Sequence, residues 1–271
     1  MGKVAGAGGV PAETGGGADF HFERFWMAKG CTPVAGVDEA GRGPWAGPVV
    51  AAAVILDERA IPGGIGDSKT LKAAERERLF VEIMASARVG VGIADVARID
   101  RDNILRATLW AMREAVLDLG VILGAALIDG NAVPRLACPV EAIVKGDARS
   151  LSIAAASIIA KVTRDKIMTE LAGQFPGYGW ERNKGYGTAQ HQLGIHQSGI
   201  CEQHRRSFRP VRLALERLAA LAPGPREPPR TAATGQAKTA NGANAAASAR
   251  PAVTPGATRL DAQRMRAELH D

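Results

Sequence analysis

Apolar residues recur with two different periods between residues 34 and 172. Residues 34–38 and 48–56 (Pro-Val-Val-Ala-Ala-Ala-Val-Ile-Leu) are short, nearly continuous apolar runs, which predicts two buried strands joined by a Gly/Pro turn. Residues 71–85 predict a helix and residues 88–95 a third strand. Ile104, Leu105, Leu109, Met112, Val116 and Leu119 fall on one face at helical spacing, which predicts a single helix over 101–119. Residues 125–129 and 140–144 read as two more strands, which stop at Asp129-Gly130-Asn131 and Lys145-Gly146-Asp147. Residues 151–172 predict a helix with a small-residue face, and helical segments then alternate with Gly-rich loops to about 219. The order β-β-α-β-α-β-β-α implies an α/β fold with a five-stranded mixed sheet flanked by helices. The antiparallel part must come first, because the first connection is too short for a helical crossover.

The ends of the chain follow a different pattern. Residues 1–18 are Gly- and Ala-rich and read as a disordered arm without the apolar core of a signal peptide. Residues 19–30 predict a short amphipathic helix ending at Gly30. Residues 222–271, rich in Pro, Gly, Ala, Ser and Thr up to about 258, read as a disordered low-complexity tail. The expected folded unit is therefore 19–221. No run of about 18 apolar residues offers a membrane span. The formal net charge of +6 favours a polyanionic partner, whereas 4% aromatic content argues against a protein built mainly of base-stacking platforms. Three widely spaced cysteines without a Cys-x-x-Cys suggest neither a zinc site nor a disulfide framework, and suit a reducing cytoplasm.

The candidate chemistry gathers where strands stop. Asp38 and Glu39 close the first apolar run, and Asp129 and Asp147 follow two others. Open α/β sheets bind ligands at this carboxyl-end edge. Asp-Gly and Gly-Asp pairs are also ordinary turn chemistry, but two adjacent acids at a strand end are poor turn formers. Four hard oxygen donors with no Cys or His beside them suit Mg²⁺ or Mn²⁺ rather than zinc. Gly41-Arg42-Gly43 follows at once: glycine lets backbone approach a ligand closely, and the guanidinium suits an anionic or hydroxyl-bearing group. Gly41-x-Gly43-x-x-Ala46 also matches a loose dinucleotide fingerprint. That fingerprint must open a helix, whereas here a proline and a strand follow. The absence of Gly-x-x-x-x-Gly-Lys-Ser/Thr excludes a P-loop.

Other residues carry two readings. Ser157, Lys161 and Arg164 share one helical face, which either holds phosphates or forms a solvated basic stripe. Tyr186, flanked by glycines and close to Lys184, either stacks on a sugar or base or anchors its own loop. His191, His196 and His204 read as surface or structural residues. Arg205, Arg206 and Arg209 add positive charge. Asp67-Ser68-Lys69 reads equally well as a helix cap or a substrate contact.

Taken together, Val-Asp38-Glu39-Ala-Gly41-Arg42-Gly43-Pro, Asp67-Ser68-Lys69, Ile-Asp129-Gly130-Asn131, Lys145-Gly146-Asp147, the run from Ser152 to Asp165 and Lys184-Gly185-Tyr186-Gly187-Thr188 resemble the bacterial ribonuclease HII family over about residues 34–211. The resemblance implies a ribonuclease H-like fold with a small C-terminal helical portion. It implies hydrolysis of the RNA strand of RNA/DNA hybrids and cleavage 5′ of ribonucleotides embedded in duplex DNA, leaving 5′-phosphate and 3′-hydroxyl ends. It implies a cytoplasmic, monomeric enzyme that uses two Mn²⁺ or Mg²⁺ ions held by Asp38, Glu39, Asp129 and Asp147. Gly41, Arg42 and Gly43 match the loop that reads the ribose 2′-hydroxyl, and Tyr186 matches a tyrosine that stacks at the RNA–DNA junction. Lys69, Ser157, Lys161 and Lys184 fall in motifs that contact substrate. The acids alone would repel a polyanion, so Lys161, Lys184 and the Arg205–Arg209 cluster are expected to hold its backbone. A DNA-junction nuclease of the same fold has no 2′-hydroxyl to read. A non-catalytic hybrid-binding protein would not need four intact acids.

Overall fold

In the computed structural model, which describes residues 17–66 and 71–221, the apolar runs form one sheet. Its strands are β1 (Val34–Ala40), β2 (Val49–Ile55), β3 (Arg88–Ala94), β4 (Ala125–Asp129) and β5 (Val140–Ile143), in spatial order β3-β2-β1-β4-β5. β1 pairs antiparallel with β2, and β2 with β3; β1–β4 and β4–β5 are parallel. The short Gly/Pro connection 41–48 permits only the antiparallel return. β4 is reached through two helices, whereas residues 130–139 carry the chain from β4 to the parallel β5 without one.

The helices are α1 (His21–Ala28), α2 (Ala73–Ser86), α3 (Val96–Asp102), α4 (Ile104–Asp118), α5 (Leu151–Gln174), α6 (Trp180–Asn183), α7 (Ala189–Ser198) and α8 (Arg209–Leu221). The single helix expected over 101–119 is in fact two. Asn103 sits at φ +69° and ψ 163°, a strained conformation that non-glycine residues rarely adopt, and its side chain accepts from Arg106 N–H at 3.1 Å to cap α4. Asp95 caps α3 in the same way, accepting from Arg98 N–H at 2.7 Å. The periodic apolar face continues across the break, which is why the pattern alone merges the two.

One face of the sheet is covered by α4, through Ala107, Ala111, Met112, Ala115 and Val116 against Ala35, Val37, Ala51, Ala53 and Ile128. The other face carries α5 and α2, where Ile158, Ile159 and Val162 meet Ala52, Val54, Leu79 and Ile83. Phe22 of α1 joins Val34, Leu127, Ile143 and Ile153 on that same side. The close approach of α5 to β1 rests on a missing side chain. A Cβ at Gly36 would lie 2.1 Å from the Ser152 carbonyl carbon. Beyond the sheet, Met168, Leu171 and Phe175 near the end of α5 pack with Ala46, Tyr178, Trp180 and Ile195.

By internal contacts the chain divides into residues 1–217 and 218–271. The expected disordered arm (except residues 17 and 18) and tail, and Asp67, Ser68 and Lys69, lie outside the described residues. No helix among the described residues is long and apolar enough to cross a membrane.

Gly36→Ala should force α5 away from β1. Overpacking of this kind costs about 1–3 kcal/mol. The contact here is backbone against backbone, so the upper end is expected. Equilibrium urea denaturation measures it, and an unchanged midpoint would show that the helix can shift freely.

Candidate active site

The parallel pairing Val37↔Ile128 sets Asp38 and Asp129 at neighbouring positions on adjacent strands. Alternation turns Val37 and Ile128 toward α4, so Asp38 and Asp129 project to the α5 side. There Ser157 of α5 hydrogen-bonds Asp38. Asp38 also accepts from Glu39 N–H at 2.7 Å, and Asp129 accepts from Gly146 N–H at 2.7 Å. Asp147 lies one residue further on, buried in the turn that leads into α5. The strand ends and this turn therefore bring the four expected acids to one edge of the sheet.

Burial pushes the Asp38 carboxyl well above the usual carboxylate range, and the charges of Glu39 and Asp129 push it further. Glu39 is also raised by burial and by Asp129, while Arg42 pulls it back through an ion pair at 3.2 Å. Clustered carboxylates that destabilise one another's charged form fit a divalent cation, which relieves that repulsion, and the donors are all hard oxygens. Among the described residues no three acid, His or Cys side chains are drawn into one closed ligand group.

The loop 41–48 is held by two buried guanidiniums. Arg205 donates to the carbonyls of Gly41 (2.6 Å), Arg42 (3.0 Å), Gly47 (2.9 Å) and Pro48 (3.1 Å). Arg164 donates to Pro48 (3.0 Å) and Ala46 (3.3 Å), and to Lys184 (3.0 Å) in the neighbouring loop. Burial pulls Arg205 down to about 9 and Arg164 to about 10, so both stay charged at neutral pH. These residues overturn an expectation: neither is a solvated phosphate contact, because their charge is spent on backbone dipoles inside the protein. Arg206 and Ser207 instead donate their N–H groups to Asp100 of α3.

Gly43 faces Tyr186: a Cβ there would lie 3.4 Å from the tyrosine Cε1. The Tyr186 side chain is half exposed, while its backbone is fixed. Tyr186 N–H donates to the Asn183 carbonyl at 2.9 Å, and the Tyr186 carbonyl accepts from His191 Nδ1 at 2.9 Å. A carbonyl can only accept, so His191 Nδ1 carries the proton and Nε2 is an acceptor. It receives Trp180 Nε1–H and His204 Nε2–H, each at 3.1 Å. His204 Nδ1 in turn accepts from Cys201 N–H at 3.1 Å. The partners thus set both tautomers. This relay, which sequence reading reduced to structural histidines, ties the tyrosine loop to the C-terminal helices.

The remaining expected contacts surround Asp165. Lys161 pairs with Asp165 at 2.6 Å. Lys184 donates to Thr169 Oγ1 at 2.8 Å and to the Asp165 carbonyl at 3.3 Å. Both ammonium groups remain partly exposed, and burial lowers that of Lys184. Arg42 is half exposed at the loop tip, and Ser157 is turned to Asp38.

The sequence profile of the family "Ribonuclease HII" matches residues 35–211. Ribonuclease HII of Sinorhizobium fredii is 54% identical over 211 residues, 78% of this chain and 91% of that protein. The Azorhizobium caulinodans ribonuclease HII is 56% identical over 196 residues, 72% of this chain and 76% of that protein. Among solved structures, ribonuclease H2 of Pyrococcus horikoshii OT3 is similar with a TM-score of 0.57 at 29% identity, over 69% of this chain and 98% of that one.

His204 is fully buried, and burial beside His191 lowers it from the ordinary 6.5 to about 4. A histidine kept neutral by the fold contributes its stability above pH 6.5 and loses it as pH falls toward 4. The gap in unfolding free energy between wild type and His204→Asn should therefore narrow by on the order of 2–3 kcal/mol between pH 7 and pH 4.5. Urea midpoints at the two pH values test it, and a constant gap would remove the buried neutral histidine from the account.

Proposed function

The chain belongs to the ribonuclease HII family, a family of hydrolytic nucleases with ribonuclease H activity, and we propose that it cleaves the RNA strand of RNA/DNA hybrids and the 5′ side of single ribonucleotides in duplex DNA. One observation carries the finer reading. The strand-end acids lie beside a loop whose Gly43 abuts the exposed ring of Tyr186. We read the acids as the hydrolytic groups and the Gly43–Tyr186 contact as the one that meets a sugar or base.

Asp38, Glu39, Asp129 and Asp147 would hold one or two Mn²⁺ or Mg²⁺ ions. When bound, such ions supply an activated hydrolytic water and stabilise charge on the departing 3′ oxygen, leaving 5′-phosphate and 3′-hydroxyl ends. The chain's own groups do the rest. A carbonyl has two lone pairs, so the Gly41 and Arg42 carbonyls that Arg205 fixes can still accept from a 2′-hydroxyl, and N–H groups of the loop can donate to it. Tyr186 supplies a stacking surface against the adjoining sugar or base. Ser157 keeps Asp38 oriented. Lys161 and Lys184 flank the site and attract the phosphate backbone, with Lys69 a further candidate. We assign the activity to a cytoplasmic monomer, a setting that suits its three free cysteines.

The direct test is cleavage of a fluorescent duplex carrying one embedded ribonucleotide, with and without Mn²⁺. Metal-dependent cut products 5′ of the ribonucleotide are expected; cleavage of an all-DNA junction instead would overturn the substrate assignment. Asp129→Asn should abolish turnover by several orders of magnitude while substrate binding stays within about tenfold, because metal-assisted chemistry supplies most of the acceleration. Near-normal turnover by the folded variant would sink the metal assignment.

Tyr186→Ala should weaken cleavage at a single embedded ribonucleotide more than cleavage of a uniform hybrid. A lone ribonucleotide offers one 2′-hydroxyl, so stacking must fix the register, and base–aromatic stacking is worth roughly 1–3 kcal/mol. Comparing kcat/KM on both substrates decides it: equal losses would make Tyr186 a general binding residue.

A further inference from the structure

The segment ahead of β1 is built into the turn that carries Asp147. Asp19 N–H donates to the Arg149 carbonyl at 3.2 Å, and Leu151 N–H donates to the Asp19 carbonyl at 2.9 Å. Two residues into α1, Glu23 is fully buried. Its Oε1 accepts from Ser150 Oγ–H at 2.6 Å, from Ser152 N–H at 2.9 Å and from Ser152 Oγ–H. Its Oε2 is also buried and, among the described residues, has no hydrogen-bond partner.

A buried carboxylate with one unpartnered oxygen is costly, and folds retain such groups only where something depends on them. The surroundings identify what depends on this one. Ser150 is the residue from which α5 starts, and its hydroxyl also accepts from Ile153 N–H at 3.2 Å. Ser150 N–H and Arg149 N–H both donate to the Gly146 carbonyl, at 2.8 and 3.0 Å. Gly146 N–H reaches Asp129 at 2.7 Å. The turn 146–150 is thus fixed at one end by Asp129 and at the other by Glu23, with Asp147 between them. Glu23 also places negative charge at the amino end of α5, where the helix dipole favours it.

We propose that Glu23 is a positioning residue for the active centre, setting Asp147 and the start of α5 relative to Asp129 so that the acids can bind a divalent cation together. This rests on the metal reading given above. It makes α1 a working part of the enzyme rather than a lead-in to β1.

Glu23→Gln keeps the shape and removes the charge. Mn²⁺ binding to the full-length protein, without nucleic acid, is read by calorimetry or by the electron paramagnetic resonance signal of free Mn²⁺, well below the melting temperature. Affinity should fall roughly tenfold, in the range found when partners of metal ligands are removed. The value of kcat on an RNA/DNA hybrid should fall with it, while KM stays within about threefold. Phe80→Leu, on the buried face of α2, is the comparison: it should lower the melting temperature and leave Mn²⁺ affinity unchanged. If Glu23→Gln does not fold, Ser150→Ala removes one donor and leaves the carboxylate, and should weaken Mn²⁺ binding several-fold. Wild-type Mn²⁺ affinity in folded Glu23→Gln, or in Ser150→Ala where that variant is needed, overturns the proposal. If the wild-type protein binds no Mn²⁺, or Asp129→Asn binds it unchanged, the metal reading has failed and Glu23's role falls with it.

Discussion

Two buried guanidiniums decide what the rest of the molecule can do. Arg164 and Arg205 between them engage the carbonyls of Gly41, Arg42, Ala46, Gly47, Pro48 and Lys184. A loop with prolines at 44 and 48 has few ways to satisfy its own backbone, and an orphaned buried carbonyl costs about 1–3 kcal/mol. Ordinary secondary structure cannot solve this, because the loop must stay irregular to expose its tip. The two arginines replace the missing ladder, with the fork geometry that lets one side chain reach several acceptors. One of them comes from α5 and the other from the turn before α8, so the loop, the central helix and the C-terminal helices are locked to each other.

The acids pose the opposite problem. Burial and the charges of Glu39 and Asp129 raise the pKa of Asp38, and burial and Asp129 raise that of Glu39, so the fold holds a cluster that would relax if it were free to. The constraint is the sheet register, backed by α5 lying directly against Gly36. Rigid strands bear the repulsion, and Ser157, Gly146 N–H and Arg42 orient individual carboxylates.

How much of this was legible beforehand depended on the range of the interactions. The strands, the mixed character of the sheet and its antiparallel start followed from local apolar runs and one short connection. The acids were readable because they sit where those runs stop. The break at Asn103 was not, since the apolar stripe of α4 extends smoothly past it. Nor were Arg164 and Arg205: their partners in the loop 41–48 lie 116–118 and 157–164 residues away, and a buried arginine has the same sequence signature as a solvated one. The histidine relay was legible only as residue types, because its meaning lies in which nitrogen carries each proton.

The space around the glycines has a consequence for inheritance. A Cβ on Gly41 would overlap the Arg164 side chain at 1.9 Å, and one on Gly187 would enter the Trp45 ring at 2.1 Å. Each glycine and its large neighbour therefore behave as one character, although 123 and 142 positions separate them. At Gly187 only a smaller residue at position 45 would make room for a side chain, whereas Gly41 lies at φ +96°, so any other residue there stays strained even with Arg164 shortened. Drift at positions 45 and 187 should therefore proceed large residue first, while Gly41 stays fixed by its own backbone.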